Sequence, residues 1–184
     1  RVLALNSVSE LVDFAKKMGI TSWSDPSNYG LSLTLGGGDV RMLDMATAFG
    51  VFATGGIKQE PISILKVTDW KGNVLEETKI QEGDRVLPME VTYLISHILL
   101  DNNARSAAFG ESSYLVVGGH PEASVKTGTT NDRRDNWTIG FSPEVVAAVW
   151  VGNNNNEPMS AVASGITGAS PIWNRIIREA LNRI

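Results

Sequence analysis

The residue types best suited to chemistry sit together in Ser124-Val125-Lys126-Thr127-Gly128-Thr129-Thr130. The stretch reads as a strand. Side chains on a strand alternate between faces, so Thr127 and Thr129 share one face and Lys126 takes the other. Gly128, between the threonines, has no side chain. Glycine inside a strand marks a place where a ligand or a second backbone comes close. The stretch therefore offers two hydroxyls, free backbone amides and one ammonium. That equipment suits a carboxylate, and a carbonyl oxygen that turns negative during reaction. An ordinary polar edge strand would carry the same residue types, so the neighbouring elements have to decide.

At 184 residues the chain reads as one domain, long enough to bury roughly 70% of its unfolded surface. A net charge of -4 gives no field to attract nucleic acid or an anionic membrane. The absence of cysteine removes disulfides, thiol nucleophiles and thiolate metal sites. His97 and His120 are isolated from each other, and no H-E-x-x-H pattern surrounds either, so neither a metal nor a cofactor is expected. No apolar run is long enough to span a bilayer, so no membrane contact by this chain is expected. The chain opens on Arg1-Val2-Leu3-Ala4-Leu5-Asn6, with neither an initiator Met nor a signal-peptide design. It reads as the middle of a cut helix, and a longer protein is expected around it.

The elements that must position the Lys126 strand follow from caps and periodicity. Ser7-Val8-Ser9-Glu10 is a capping-box pattern, and the helix after it carries Leu11, Phe14, Ala15 and Met18 at helical spacing before Gly19. Gly36-Gly37-Gly38 precedes Asp39, expected to cap a helix with Met42, Leu43, Met45, Ala46, Phe49, Phe52 and Ala53 on its apolar stripe. Three glycines before a helix can cradle phosphate, but Asp39 and Val40 stand where a phosphate loop needs Lys and Ser or Thr. Ile62 to Glu76 reads as a hairpin turning in Asp69-Trp70-Lys71-Gly72, and a helix follows Pro88 as far as Asp101. After the Lys126 strand, a charged turn leads to Trp137–Phe141 and then to Val145–Val151. The last run is apolar without alternation, the pattern of a central strand covered on both faces. These three strands should form an antiparallel meander. Asn153 to Gly168 reads as a polar loop, and the chain closes in a helix with Ser170 as cap and Pro171 at its first position.

Lys126-Thr127-Gly128-Thr129-Thr130-Asn131-Asp132, Arg134-Asp135, Trp137, Gly140 and Trp150-Val151-Gly152 together form an ordered pattern. It resembles the transpeptidase domain of class A (bifunctional) penicillin-binding proteins, which cross-link bacterial peptidoglycan. The resemblance continues collinearly through residues 28–38, Ala46-Thr47-Ala48-Phe49, Phe52–Gly56 and Ala169–Trp173. It implies an α+β fold: an antiparallel sheet flanked by helices, like that of serine β-lactamases and D,D-transpeptidases. Residues 1–184 would be the C-terminal portion of that domain, incomplete because its N-terminal part is absent.

Of the family motifs S-x-x-K, S-x-N and K-T-G, only the third is present. Ser63-Ile64-Leu65-Lys66 matches the first in letters but falls in the hairpin, and Ser27-Asn28 sits in a loop. The resemblance therefore implies a nucleophile upstream of Arg1, with the upstream part of the parent protein as this chain's complement. It assigns Lys126 to proton movement and local positive potential. Thr127 and Thr129 would bind the terminal carboxylate of a D-Ala-D-Ala stem peptide. The Thr129 amide would supply half an oxyanion hole, and Gly128 would let the substrate lie along the strand. β-Lactams, as mimics of that dipeptide, would bind the complete site. The implied location is the extracytoplasmic face of the bacterial cell membrane, with the parent anchored by an N-terminal helix outside this chain. Val125 stands where relatives often have Gly. A folded interaction module without turnover, or a related D,D-carboxypeptidase or β-lactamase, are the alternative readings.

Overall fold

The computed structural model describes residues 1–159 and 167–184, so part of the expected polar loop lies outside the described residues. Two short helices come first, α1 (Val2–Leu5) and α2 (Val8–Lys17). The Ser7 hydroxyl accepts the Glu10 N–H at 3.1 Å, which satisfies one of the helix's orphan donors. The buried face of α2 is Val12 and Ala15, with Met18 just beyond, whereas the expected Phe14 is exposed.

A short 3-10 helix, Leu31–Leu35, ends at Gly36 in the left-handed conformation (φ 86°). Gly37 then passes so close to Ser32 that a Cβ would lie 2.7 Å from its Oγ, and one on Gly38 would lie 2.6 Å from Leu33 Cδ1. Turn geometry and close packing therefore account for the three glycines. Asp39 is not the cap expected of it. The backbone stays extended at Arg41, and α3 runs from Met42 to Ala53 without a side-chain cap. Its buried residues are Asp44, Ala48 and Val51, while Met42 and Leu43 are exposed.

Two small antiparallel ribbons follow: β1 (Ile57–Lys58) pairs with β4 (Asp84–Arg85), and β2 (Lys66–Thr68) with β3 (Val74–Glu77). The β2–β3 turn is held by the Asp69 carboxylate, which accepts the Lys71 and Asn73 N–H groups at 2.8 Å each. Helix α4 (Met89–Leu100) starts after Pro88, as the sequence predicts. A further helix, α5 (Asn102–Phe109), begins immediately where the sequence signals only an end. Asp101 leaves the helical backbone region and its carboxylate accepts the Ala104 N–H at 3.1 Å, so one residue ends α4 and caps α5.

The sheet is the expected antiparallel meander in order β5-β6-β7, formed by Ser124–Thr129, Asp135–Phe141 and Val146–Gly152. The register aligns Lys126 with Ile139 and Ala148, and Val125 with Gly140 and Ala147. Helix α6 (Ala169–Leu181) covers one face, burying Trp173, Ile177 and Leu181 in a core with Val125, Ala147 and Val149. Helix α3 covers the other face, where Phe49 and Phe52 meet Phe141 at ring-centroid distances of 6.1 and 6.2 Å. β7 is thus covered on both faces, as its apolar run predicts. It is nonetheless an outer strand among the described residues, and β6 is the central one.

Two expectations for α6 change. It begins at Ala169, so Ser170 is inside the helix rather than capping it, and Pro171 is third. The Ser170 hydroxyl is buried 2.9 Å from Thr138 Oγ1. The apolar stripe is also narrower than its sequence suggests, since Ile172 and Ile176 are about half exposed.

Candidate functional site

Strand β5 is anchored at one end and open at the other. Ser124 and Val125 are 1% and 3% exposed. The Ser124 hydroxyl donates to the Ser96 carbonyl of α4 at 3.0 Å, and Val125 packs into the α6 core. From Lys126 the strand emerges: Lys126, Gly128 and Thr129 are exposed and Thr127 is half-buried.

In an antiparallel ladder a residue's N–H and C=O point to the same side, and successive residues alternate. The Thr130 N–H donates to the Asp135 carbonyl across the β5–β6 pair at 3.1 Å. The even-numbered residues therefore bond to β6 and the odd ones face away. Two contacts agree with this. The Val125 carbonyl is reached by Arg105 Nη1 of α5 at 3.4 Å, and the Thr127 carbonyl by the Lys126 ammonium. The N–H groups of Thr127 and Thr129 thus lie on the free edge.

Arg105 sets where that edge begins. Its guanidinium also donates to the Leu99 and Leu100 carbonyls at 3.0 Å each, closing the C-terminus of α4. Burial pulls the guanidinium below its ordinary pKa, while the Asp101 carboxylate opposes that shift. With the Val125 carbonyl engaged by Arg105 and the Thr127 carbonyl by Lys126, the N–H groups of Thr127 and Thr129 remain on this edge.

Lys126 and Gly128 share a face with Ile139, Trp137 and Trp150. This face borders a cavity of about 550 Å³, closed on the far side by Val40 and by Met42, Met45 and Phe49 of α3. A second, polar cavity of about 780 Å³ adjoins the end of the strand, where Asp39, Asp132, Arg134 and Asn153 contribute. Both are lined by Thr129, Thr130, Asp135 and Trp150. The Asp135 carboxylate fixes the turn that separates them, accepting Trp150 Nε1–H at 2.9 Å and the Thr130 hydroxyl at 3.0 Å. Asp132 and Arg133 take positive φ (58° and 55°), and an Asp132–Arg134 ion pair of 3.9 Å lies within the turn.

Thr127 and Thr129 occupy the opposite face, shared with Val125. There Asn136 enters, a residue that sequence reasoning passed over. Fully buried on β6, it donates from Nδ2 to Thr129 Oγ1 at 3.0 Å and accepts the Ala169 N–H through Oδ1 at 2.7 Å. The sequence reads Asn136 as the end of the charged turn, with the strand beginning at Trp137; β6 begins at Asp135 instead, and the face that Asn136 shares with Thr138 and Gly140 lies against α6.

The other sequence candidates stay apart from β5. Ser63 is exposed in a loop, and Lys66 lies 3.7 Å from Glu77 within the β2–β3 ribbon. Ser27 belongs to a one-turn helix whose N–H is held by Asp25. His97 packs edge-on against Tyr93, and the His120 ring bridges Asn182 and Glu122 at 2.9 and 3.1 Å. Those two acceptors raise the His120 pKa above its ordinary value, Asn182 contributing most.

No family model matches the chain. It is 31% identical over 181 residues to penicillin-binding protein 1A of Neisseria meningitidis, covering 98% of this chain and 22% of that protein. It is 35% identical over 167 residues to penicillin-binding protein 1A of Aquifex aeolicus, covering 89% of this chain and 21% of the relative. The chain therefore spans about a fifth of the length of these relatives. Among solved structures, the penicillin-binding protein PonA1 of Mycobacterium tuberculosis superposes with a TM-score of 0.77 at 27% identity, covering 91% of this chain and 47% of that one. The same protein solved with penicillin V gives 0.75 at 26% identity, covering 91% and 48%.

Proposed function

The chain is homologous to the C-terminal region of class A penicillin-binding protein 1A, and from that premise we propose that residues 1–184 are the C-terminal portion of a D,D-transpeptidase domain. They carry the carboxylate-binding half of a serine acyl-enzyme site whose nucleophile lies outside this chain. The observation that carries the reading is the free edge of β5. It carries the N–H groups of Thr127 and Thr129, with the Lys126 ammonium on one face of the strand and the two threonine hydroxyls on the other; all of these residues line one cavity, and the strand's other end is clamped.

In this reading the D-alanyl-D-alanine end of a stem peptide lies along β5 as an added strand. Its terminal carboxylate meets the hydroxyls of Thr127 and Thr129. The serine oxygen attacks the carbonyl between the two D-alanines, and its proton passes on to the departing D-alanine amine. An amine of a second stem then displaces the serine and forms the cross-link. Negative charge on the carbonyl oxygen in the first step is met by the Thr129 N–H, already directed to the edge by the ladder. Removing one such donor typically costs about 3 kcal/mol of transition-state stabilisation. Lys126 supplies positive potential from the cavity face and assists proton movement. A β-lactam enters the same way and stops at the acyl stage. The site works on the extracytoplasmic face of the cell membrane, its anchor belonging to the parent protein. Among the described residues no helix is long and apolar enough to cross a membrane.

The test is acylation by a fluorescent penicillin. The isolated 184-residue chain should remain unlabelled, whereas the same chain continuous with its upstream segment should label stably and release label slowly. Stable labelling of the isolated chain overturns the placement of the nucleophile. Absence of labelling in the longer protein overturns the enzymatic reading and favours an interaction module.

A further inference from the structure

The bonds around Asn136 have a chemical consequence for Thr129. Ala169 is the first residue of α6, and the first N–H groups of a helix have no partner within it. The Ala169 N–H, 2.7 Å from Asn136, can only donate, so the amide oxygen must face it. The Asn136 NH2 is thereby turned toward Thr129, 3.0 Å away, where it too can only donate. The Thr129 oxygen is thus obliged to accept on its protein side. Its single proton must point elsewhere, and among the described residues no acceptor takes it. Thr129 is exposed and lines both cavities.

We infer that Asn136 is a positioning residue that keeps the Thr129 hydroxyl proton off the protein and available to the ligand, and so tunes the site for a terminal carboxylate over a neutral end group. This rests on the transpeptidase reading and deepens it. A serine or threonine hydroxyl normally rotates to suit either a donor or an acceptor. Held as here, it favours an anionic acceptor, for which hydrogen bonds are roughly twice as strong as for neutral ones. The chain of bonds runs from the backbone of α6 through a fully buried amide to the strand edge. The N-terminus of α6 therefore contributes to ligand choice without touching ligand.

The experiment uses the longer protein that contains this chain. The second-order acylation rate is measured with a penicillin bearing its free carboxylate and with the methyl ester of the same penicillin. The ratio of the two rates is the readout. Asn136→Asp places an acceptor against both Ala169 N–H and Thr129, drawing the hydroxyl proton inward, and should lower the ratio at least about tenfold. Asn136→Ala frees the hydroxyl to rotate and should lower it less, about threefold, and it carries the test if the Asp variant does not fold. In a Thr129→Val background either change at Asn136 should have no further effect on the ratio. A ratio unmoved by both Asn136 variants but collapsed by Thr129→Val overturns the role of Asn136 and leaves the transpeptidase reading intact. A ratio unmoved by Thr129→Val removes Thr129 from carboxylate recognition, and the inference falls with it. In the unaltered protein, the Asn136 side-chain amide resonance should shift with the carboxylate ligand and not with the ester. Equal shifts count against the inference.

Discussion

Two glycines in adjacent strands of one sheet have opposite surroundings. Gly140 on β6 faces α6. A Cβ there would lie 2.6 Å from the Ser124 carbonyl and 2.8 Å from Trp173 Cε2, with Trp173 Cζ2 closer still. Gly128 on β5 faces the Lys126 side. A Cβ there would meet only Trp137 Cβ, at 3.6 Å, an ordinary contact. Neither has positive φ. Glycine at 140 is demanded by the fold, which needs the indole of Trp173 pressed onto the backbone. Nothing in the fold demands glycine at 128. The contrast separates a face built for packing from a face built for access.

The largest effect belongs to the packed face. Trp173 is fully buried against Gly140. Trp173→Ala should cost about 4 kcal/mol, the range for deleting a buried aromatic. Urea denaturation measures it, and a loss under about 1 kcal/mol would mean that α6 is not docked as described. Next is Gly140→Ala, where one added methyl should cost about 2–3 kcal/mol by overpacking. Combined with Trp173→Ala, which opens the space, the two changes should cost clearly less than their sum. Strict additivity would break the proposed link between these residues.

A smaller effect is expected beyond the other face of the sheet, where α3 is pinned by a charge rather than by apolar fit alone. The Asp44 carboxylate, 5% exposed, accepts the Thr21 and Ser22 N–H groups at 2.8 Å each and pairs with Arg41 at 2.9 Å. Burial pushes this carboxyl up, but the N–H groups of Ser22 and Thr21 and the Arg41 guanidinium outweigh it, and it sits below the ordinary carboxylate value. A depressed folded-state value means stabilisation that is complete above the unfolded-state value, near 3.8, and lost as pH falls through the lower folded one. Asp44→Ala should cost about 2 kcal/mol at neutral pH, because two N–H groups lose their acceptor. It should also flatten the acid limb of the stability curve. An acid limb unchanged by the substitution would remove Asp44 from that role.

The two faces differed in how well they could be read from sequence. The Lys126 strand, the meander, the Asp69 turn and the Ser7 cap all follow from local rules, and the structure contains each of them. What escaped depends on contacts distant in sequence. Asn136 reads as the end of the charged turn because its neighbours in sequence are charged. Its face of β6 is bare at Gly140 so that Trp173 can approach, and polar at Asn136 and Thr138 because Ala169 and Ser170 of α6 need partners. Ser170 has the composition of a cap, but Asn136 had already taken that task. Asp39 failed as a cap because the backbone remains extended as far as Arg41. Helix α5 was missed because Asp101 is a stop signal and a start signal at once. The apolar run of β7 reports coverage above and below, and that pattern does not distinguish a central strand from an outer one.

The smallest expected change in stability is the most informative about the site. Gly128→Ala should leave the fold unaffected or raise its stability by up to about 1 kcal/mol, since alanine gives up less conformational freedom on folding and finds open space here. The same methyl would stand on the face that borders the cavity, between the Thr127 and Thr129 positions along which the ligand lies in the proposed reading. Acylation of the longer protein by penicillin should therefore fall at least about tenfold while the denaturation midpoint does not drop. Gly140→Ala should show the reverse order, with stability lost first and acylation following only as the folded fraction declines. If Gly128→Ala acylates normally, the absence of a side chain at 128 has no bearing on ligand approach, and access at this edge is set by something other than glycine. If it destabilises the chain by more than about 1 kcal/mol, the two faces are not as different as their geometry says.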